Sequence, residues 1–307
     1  MTKQQFFDNL EVPKGPVDVV LDTDAYNEID DQFAIAYLMA AGEKLNIKAF
    51  CAAPFLNAKA ASPAEGMQKS YDEILKLLKL AGREDVWPVY AGSCRYLPDE
   101  QTPVVSPAAE YMAKLADAYS PEKPLYIVAI GAITNVASAI LMNPNMKENT
   151  VIVWLGGAAC HVSKPASEFN MVQDIAAARV VLGCGVPVIM LPCAGVVDRF
   201  ATSRYELEHW LKGKSPLCDY LAENAIREAE SYAAGKPWTR VIWDVTAVAW
   251  LLNENDRFMR SELRSSIIPE YDRHYATDVS RHMMRYVYWI DRDALFEDLF
   301  NRLSSLQ

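Results

Sequence analysis

The chain has 307 residues, half of them hydrophobic and 23% charged, a composition that excludes a disordered chain and allows a sizeable buried core. Its formal net charge of −10 disfavours phosphate backbones, and no basic run with interleaved aromatics offsets that, so no nucleic-acid partner is expected. No apolar run approaches the ~18 residues of a membrane span, and the opening MTKQQFFDNLEVPKGP has no signal-peptide core, so the expected setting is cytoplasmic, away from any membrane.

The first strong element is Val17 to Asp22, an apolar run ending in an acid, as a buried parallel strand meeting a site would. A loop follows, then a helix from about Asp30 to Ala41, with Phe33, Ala34, Tyr37, Leu38 and Ala41 at helical spacing. Next come a strand over 47–53, a helix near 63–81 ended by Gly82, a short strand at 87–90 and a helix near 106–119. The pattern continues with a strand at 125–130, a helix at 133–142, a strand at 151–155, a helix near 173–184 and a strand at 186–191. Residues 203–255 read as helices. A strand at 285–290 and a helix near 292–303 close the chain. This alternation predicts an α/β fold: one domain, 1–307, with a mostly parallel central sheet, helices on both faces and extra helices after residue 200. The six cysteines form no CxxC pair and are expected to be buried, reduced thiols.

Between Asp22 and Asp31 the chain carries five carboxylates in ten residues: Asp22, Asp24, Glu28, Asp30 and Asp31. They repel one another unless protons or a cation intervene, and a hard cation held by oxygens is the economical answer. Asp30 and Asp31 also suit a helix start, where the dipole favours acids. Acids at the end of a buried strand have no such explanation. In open α/β sheets ligands bind beyond the carboxyl ends of the strands, where this loop falls.

Asp22-Thr-Asp24 followed by Asp30-Asp31 and an apolar helix resembles the opening D-x-D-P-G-x-D-D of the inosine–uridine nucleoside hydrolase family, with a loop, Ala25 to Ile29, that is two residues longer. Ile130-Gly-Ala-Ile-Thr-Asn-Val-Ala137, Gly156-Gly-Ala158 with Glu168-Phe-Asn170, and Asp244 before Val245-Thr-Ala-Val-Ala249 resemble later segments of the family in the same order. Asn57 falls where the family has an asparagine after its second strand. The resemblance implies a Rossmann-like fold and hydrolysis of a riboside N-glycosidic bond. It implies one Ca²⁺ held by Asp24, Asp31, Asp244 and the carbonyl of Thr134, with Asp24 also the base that activates water. Asp30, Asn57, Glu168 and Asn170 would hold the ribose hydroxyls, and the protein would be a homodimer or homotetramer. Read without the family, Thr134 and Asp244 suit helix caps, Glu168 and Asn170 suit a loop brace, and Asp22 suits a tie between loops.

Trp243 stands where inosine–uridine members carry a proton-donating His, and a purine-preferring subset has Trp. It would stack on the departing base, or else belong to the core. Tyr96 or Arg95 would be an opposite wall. His161 lies about where the family has another sugar-contacting asparagine, and His274, Tyr275 and His282 are candidate proton donors. The alternatives are a related ribohydrolase for a modified riboside and a non-catalytic calcium-dependent riboside-binding protein. A haloacid-dehalogenase phosphatase also starts with D-x-D but wants Thr or Val where this chain has Tyr26.

Overall fold

The computed structural model describes residues 1–306. Eight strands form the central sheet: β1 Val17–Thr23, β2 Leu45–Ala52, β3 Val89–Tyr90, β4 Leu125–Ala129, β5 Thr150–Leu155, β6 Val188–Leu191, β7 Met259–Ser265 and β8 Met283–Ile290. Their spatial order is β3-β2-β1-β4-β5-β6-β8-β7, all parallel except β7, which runs antiparallel to β8. The chain steps outward from β1 to β3, then returns to place β4 on the other side of β1. This reversal opens a crevice beyond the carboxyl ends of β1 and β4. Asp22 pairs with Cys51 on one side and Ala129 on the other, so the turns after β1, β2 and β4 emerge together.

Alternation along the strands builds a core on each face. Val19, Leu21, Val128 and Val153 face one side, where the helices Asp30–Ala40, Pro63–Leu80, Pro216–Ala233, Val245–Trp250 and Arg292–Ser305 pack. Val20, Ile127, Ile152 and Trp154 face the other, covered by Pro107–Leu115, Thr134–Met142 and Ile175–Gly183. Three helices open on Ser-Pro. The hydroxyls of Ser62, Ser106 and Ser215 accept from the backbone N–H three residues on, at 3.1–3.2 Å, and the proline takes a position that needs no donor.

Several boundaries differ from expectation. The predicted helix 173–184 breaks at Asp174, whose carboxylate caps Ile175–Gly183 by accepting from Ala177 N at 2.9 Å. The 203–255 region holds three helices (Arg204–Trp210, Pro216–Ala233, Val245–Trp250) and a ribbon pairing Ala201–Thr202 with Arg240–Val241. Strand β7, Met-Arg-Ser-Glu-Leu-Arg-Ser, was not anticipated, nor were the short helix Lys3–Asp8 and the ribbon of Ile268–Pro269 with Tyr275–Ala276. Helix Asp30–Ala40 is buried on every side from Asp30 to Met39, where the spacing predicted one apolar stripe. Its polar Gln32 is satisfied there, donating to Glu73 at 3.1 Å and accepting from Asn224 at 2.7 Å. All six cysteines are unpaired, and Cys94 and Cys160 are exposed rather than buried. Among the described residues no helix is long and apolar enough to cross a membrane.

Candidate active site

Beyond β1, β4 and β5 lies a cavity of about 250 Å³. Its acidic wall is Asp24, Glu28, Asp30, Asp31 and Asp244, and Ile130, Leu155, Phe169 and Trp243 give apolar surface. Asp24 continues β1. Asp30 and Asp31 start the buried helix, and Asp244 starts Val245–Trp250, which packs against it. One carboxylate oxygen from each of Asp30, Asp31 and Asp244 lies within 4.8 Å of the other two. This trio contains Asp30, which the resemblance casts as a sugar ligand, where the expected cation set has Asp24. Asp24 lines the same cavity, and both its oxygens are buried without a hydrogen-bond partner.

Asp30 and Asp31 do stand in the first turn of their helix, where the dipole favours acids, but local structure removes the capping explanation for Asp244. Asp244 occupies a helix N-cap, but its side chain makes no cap bond. Its N–H donates to Asp30 Oδ2 at 3.3 Å. The helix of Asp30 and Asp31 is likewise uncapped by a side chain, and Thr23 Oγ1 donates to Asp31 Oδ1 at 2.5 Å. Burial first, and then neighbouring acids, raise the carboxyls of Asp24, Asp31 and Asp244 well above the ordinary range. Burial and Glu28 push Asp30 up to about 7, against the pull of Arg240. Crowded, buried carboxylates, with both oxygens of Asp24 left partnerless, suit the donor set of a hard cation. Cys193 also lines the cavity, but burial raises its thiol well above the usual range, so it offers no thiolate.

Gly131 follows β4 and touches Asp24: a Cβ there would stand 2.8 Å from Asp24 Oδ1 and 3.2 Å from Ala53 Cβ. Gly131→Ala is therefore expected to displace the Asp24 carboxylate and lower kcat about a hundredfold with the fold retained. Turnover and circular dichroism of the variant check this, and wild-type kcat would refute it.

The remaining expected residues separate into two groups. Asn170 lines the cavity, and its amide donates to the carbonyls of Ile130 at 3.1 Å and Leu155 at 3.0 Å, tying the ends of β4 and β5. Glu168 lines it too while accepting from the N–H groups of Gly157, Asn170 and Met171, so it braces the loop and caps helix Phe169–Gln173. Trp243 is half-buried at the wall, with the Arg240 guanidinium 5.2 Å from its ring centre. Asn57 does not line the cavity. Thr134 is outside the lining as well. It is the first helical residue rather than the cap, and its hydroxyl donates to Asp174 at 2.7 Å. Asp22 ties loops together: Asn135 Nδ2 donates to it at 2.8 Å and to Ala52 O at 3.0 Å.

The candidate proton donors and base walls do not line the cavity. His274 is exposed beside Asp272 at 3.3 Å, and His282 packs edge-on against Phe6. Tyr275 OH is held by Ala158 N at 3.2 Å and Pro165 O at 3.4 Å. Tyr96 bonds Gln173, and Arg95 and His161 are exposed. No histidine lines the cavity among the described residues. Asn27, Phe169, Cys193 and Asp198 line it without having been singled out. Of these, only Asn27 had a signal, an amide inside the acidic loop.

A cleft of buried acids at the reversal point of a parallel sheet places the molecule among α/β enzymes that take a small substrate at their strand ends. The profile of the family described as inosine-uridine preferring nucleoside hydrolase matches residues 19–297, and the chain belongs to this family, whose members are N-glycosyl hydrolases. The chain is 32% identical over 233 residues to the pyrimidine-specific ribonucleoside hydrolase RihA of Citrobacter koseri, covering 66% of this chain and 72% of that one. Its fold is similar to a plant nucleoside hydrolase, PpNRh1, with a TM-score of 0.75 at 22% identity over 94% of this chain and 99% of that one. It is equally similar to a purine-preferring ribonucleoside hydrolase from Gardnerella vaginalis, with a TM-score of 0.75 at 18% identity over 94% and 98% of the two chains.

Proposed function

We propose that the protein hydrolyses the N-glycosidic bond of a ribonucleoside in a calcium-dependent reaction, releasing ribose and the free base. The observation that carries this is Asp24, whose two buried oxygens lack any protein partner beside three further clustered carboxylates. Asp24, Asp31 and Asp244, with the Thr134 carbonyl, would hold the cation, and an all-oxygen set suits Ca²⁺ better than zinc. A cation held there would supply Lewis-acid chemistry that makes a water easier to deprotonate. Asp24 receives the proton of that water as it attacks the anomeric carbon. Positive charge develops on the sugar as the bond breaks, and the surrounding carboxylates stabilise it. The assembly would be a homodimer or homotetramer in the cytoplasm.

No histidine lines the cavity among the described residues, so the base, leaving with the electron pair of the broken bond, would take its proton from solvent. Trp243 lines the cavity, and a base stacked on its indole would favour a purine, whose larger ring system covers more of it. Base–aromatic stacking contributes about 1–3 kcal/mol, so Trp243→Ala is expected to lower kcat/KM for inosine and adenosine roughly ten- to hundredfold and for uridine much less. The similarity to RihA enzymes, named for pyrimidine specificity, makes the comparison decisive. Ribose and base release are measured over a panel of natural and modified ribosides, with Ca²⁺ and with chelator. Equal losses on purines and pyrimidines would remove Trp243 from base selection. Binding without release of base would favour a non-catalytic riboside-binding protein.

A further inference from the structure

We propose that Asn27, in the lengthened loop, is the amide that contacts the sugar, in the place the family resemblance gives to Asn57. The inference deepens the riboside reading of the cavity and rests on it. Asn27 lines the cavity and Asn57 does not. Asn57 lies behind Asn27, joined to it by a hydrogen bond of 2.6 Å between their side chains.

Chemistry fixes which way both amides face. The backbone N–H of Lys59 can only donate, so the Asn57 atom 2.8 Å from it is the oxygen Oδ1. The other atom of that amide, Nδ2, therefore donates to Asn27, and the Asn27 atom receiving it is Oδ1. Asn27 keeps its Nδ2 donor, which has no protein acceptor among the described residues, on a side chain belonging to the cavity wall.

The loop around it is held from behind. Lys59 Nζ donates to the Asn27 carbonyl at 2.6 Å and pairs with Glu228 at 3.2 Å. The buried Arg240 pairs with Glu28 at 2.6 Å. Asn27 N donates to Asp24 O at 2.7 Å, which sets the amide one short turn from the Asp24 carboxylate. The acidic wall consists of acceptors once ionised. A sugar hydroxyl is both donor and acceptor, and it is satisfied when a carboxylate takes its proton and an amide N–H meets its lone pair. Asn27 supplies that N–H. The two extra loop residues thus insert a new amide between Asn57 and the substrate.

The test uses the full chain with saturating Ca²⁺, titrated with D-ribose and with the riboside panel. Asn27→Ala is expected to weaken both about tenfold, the loss of one hydrogen bond, with cation affinity unchanged. Asn27→Asp, the same size but without the donor, guards against a packing defect and is expected to weaken binding at least as much. Asn57→Asp cannot donate to Asn27 Oδ1. Asn27 would then turn its oxygen to the cavity, so this variant is expected to show the same tenfold loss and to add nothing to Asn27→Ala in the double variant. Ribose and riboside affinity unchanged in both Asn27 variants would overturn the proposal. So would an Asn57→Asp loss that adds in full to that of Asn27→Ala, because Asn57 would then touch the sugar itself. Wild-type protein that binds ribose but releases no base would sink the hydrolase reading and leave the Asn27 comparison intact. Wild-type protein that binds neither ribose nor ribosides would sink both.

Discussion

Asp24→Asn is expected to bind ribosides and hydrolyse them about 10²–10⁴-fold more slowly than wild type at saturating Ca²⁺, the range for removal of a general base. Asparagine matches aspartate in size and can offer one oxygen to a cation, but it cannot take a proton from water. Asp24 is suited to that role. Burial and the charges of Asp31 and Asp30 raise its proton affinity, and no hydrogen bond from the protein occupies either oxygen. The substitution also removes one acid from a crowded group. The metal-free variant is therefore expected to melt at a higher temperature than metal-free wild type. Ribose release gives kcat, calorimetric titration gives riboside affinity, and a thermal scan gives Tm. Turnover within tenfold of wild type would take the base role away from Asp24.

Chelation of the wild-type protein is expected to lower Tm by about 5–11 °C, and by more at pH 8 than at pH 5.5. A ligand at a hundred times its dissociation constant stabilises by about 2.7 kcal/mol, and a chain of this size shifts by roughly 2–4 °C per kcal/mol. The pH dependence follows from the acids. Burial pushes Asp22 and Asp30 up to about 7, and Asp24, Asp31 and Asp244 also move upward, while the unfolded chain titrates near 4. Folded carboxyls that hold protons more tightly than unfolded ones contribute fully below pH ~4, and that contribution fades as pH rises through ~7. Metal-free protein should therefore lose Tm between pH 5 and pH 8. A bound cation compensates the ionised carboxylates and flattens the curve. A chelated protein whose Tm holds steady or rises over this interval would contradict the account.

The parts of the molecule legible in the sequence are those with a strong period or an unusual local chemistry. The runs at 17–22, 125–130 and 151–155 are apolar because both faces of a central parallel strand are covered, and each became a strand. The acids at 22–31 stood out because so many carboxylates in one turn need an explanation. Nothing local links Asp244 to that turn; the resemblance did so, and the structure brings it beside Asp30 and Asp31. Strand β7 was illegible because it is an edge strand with largely charged and hydroxyl side chains, defined by its pairing with β8 rather than by a buried face. The full burial of helix Asp30–Ala40 was hidden for a similar reason. Gln32 reads as a surface residue until Glu73 and Asn224 are folded against it. His274 and His282 looked like candidate acids because residue type is visible in a sequence, but the direction in which a loop folds is not.

The helix that begins with Asp30 and Asp31 has no solvent side, and this bears on how the protein comes apart. Amide hydrogens in such an element exchange with water only when the whole molecule opens. Two of the clustered acids are thus carried by a segment with no exposed face from which to fray. Partial fraying should leave the acids of this helix in place, and they should disperse only in the global unfolding event.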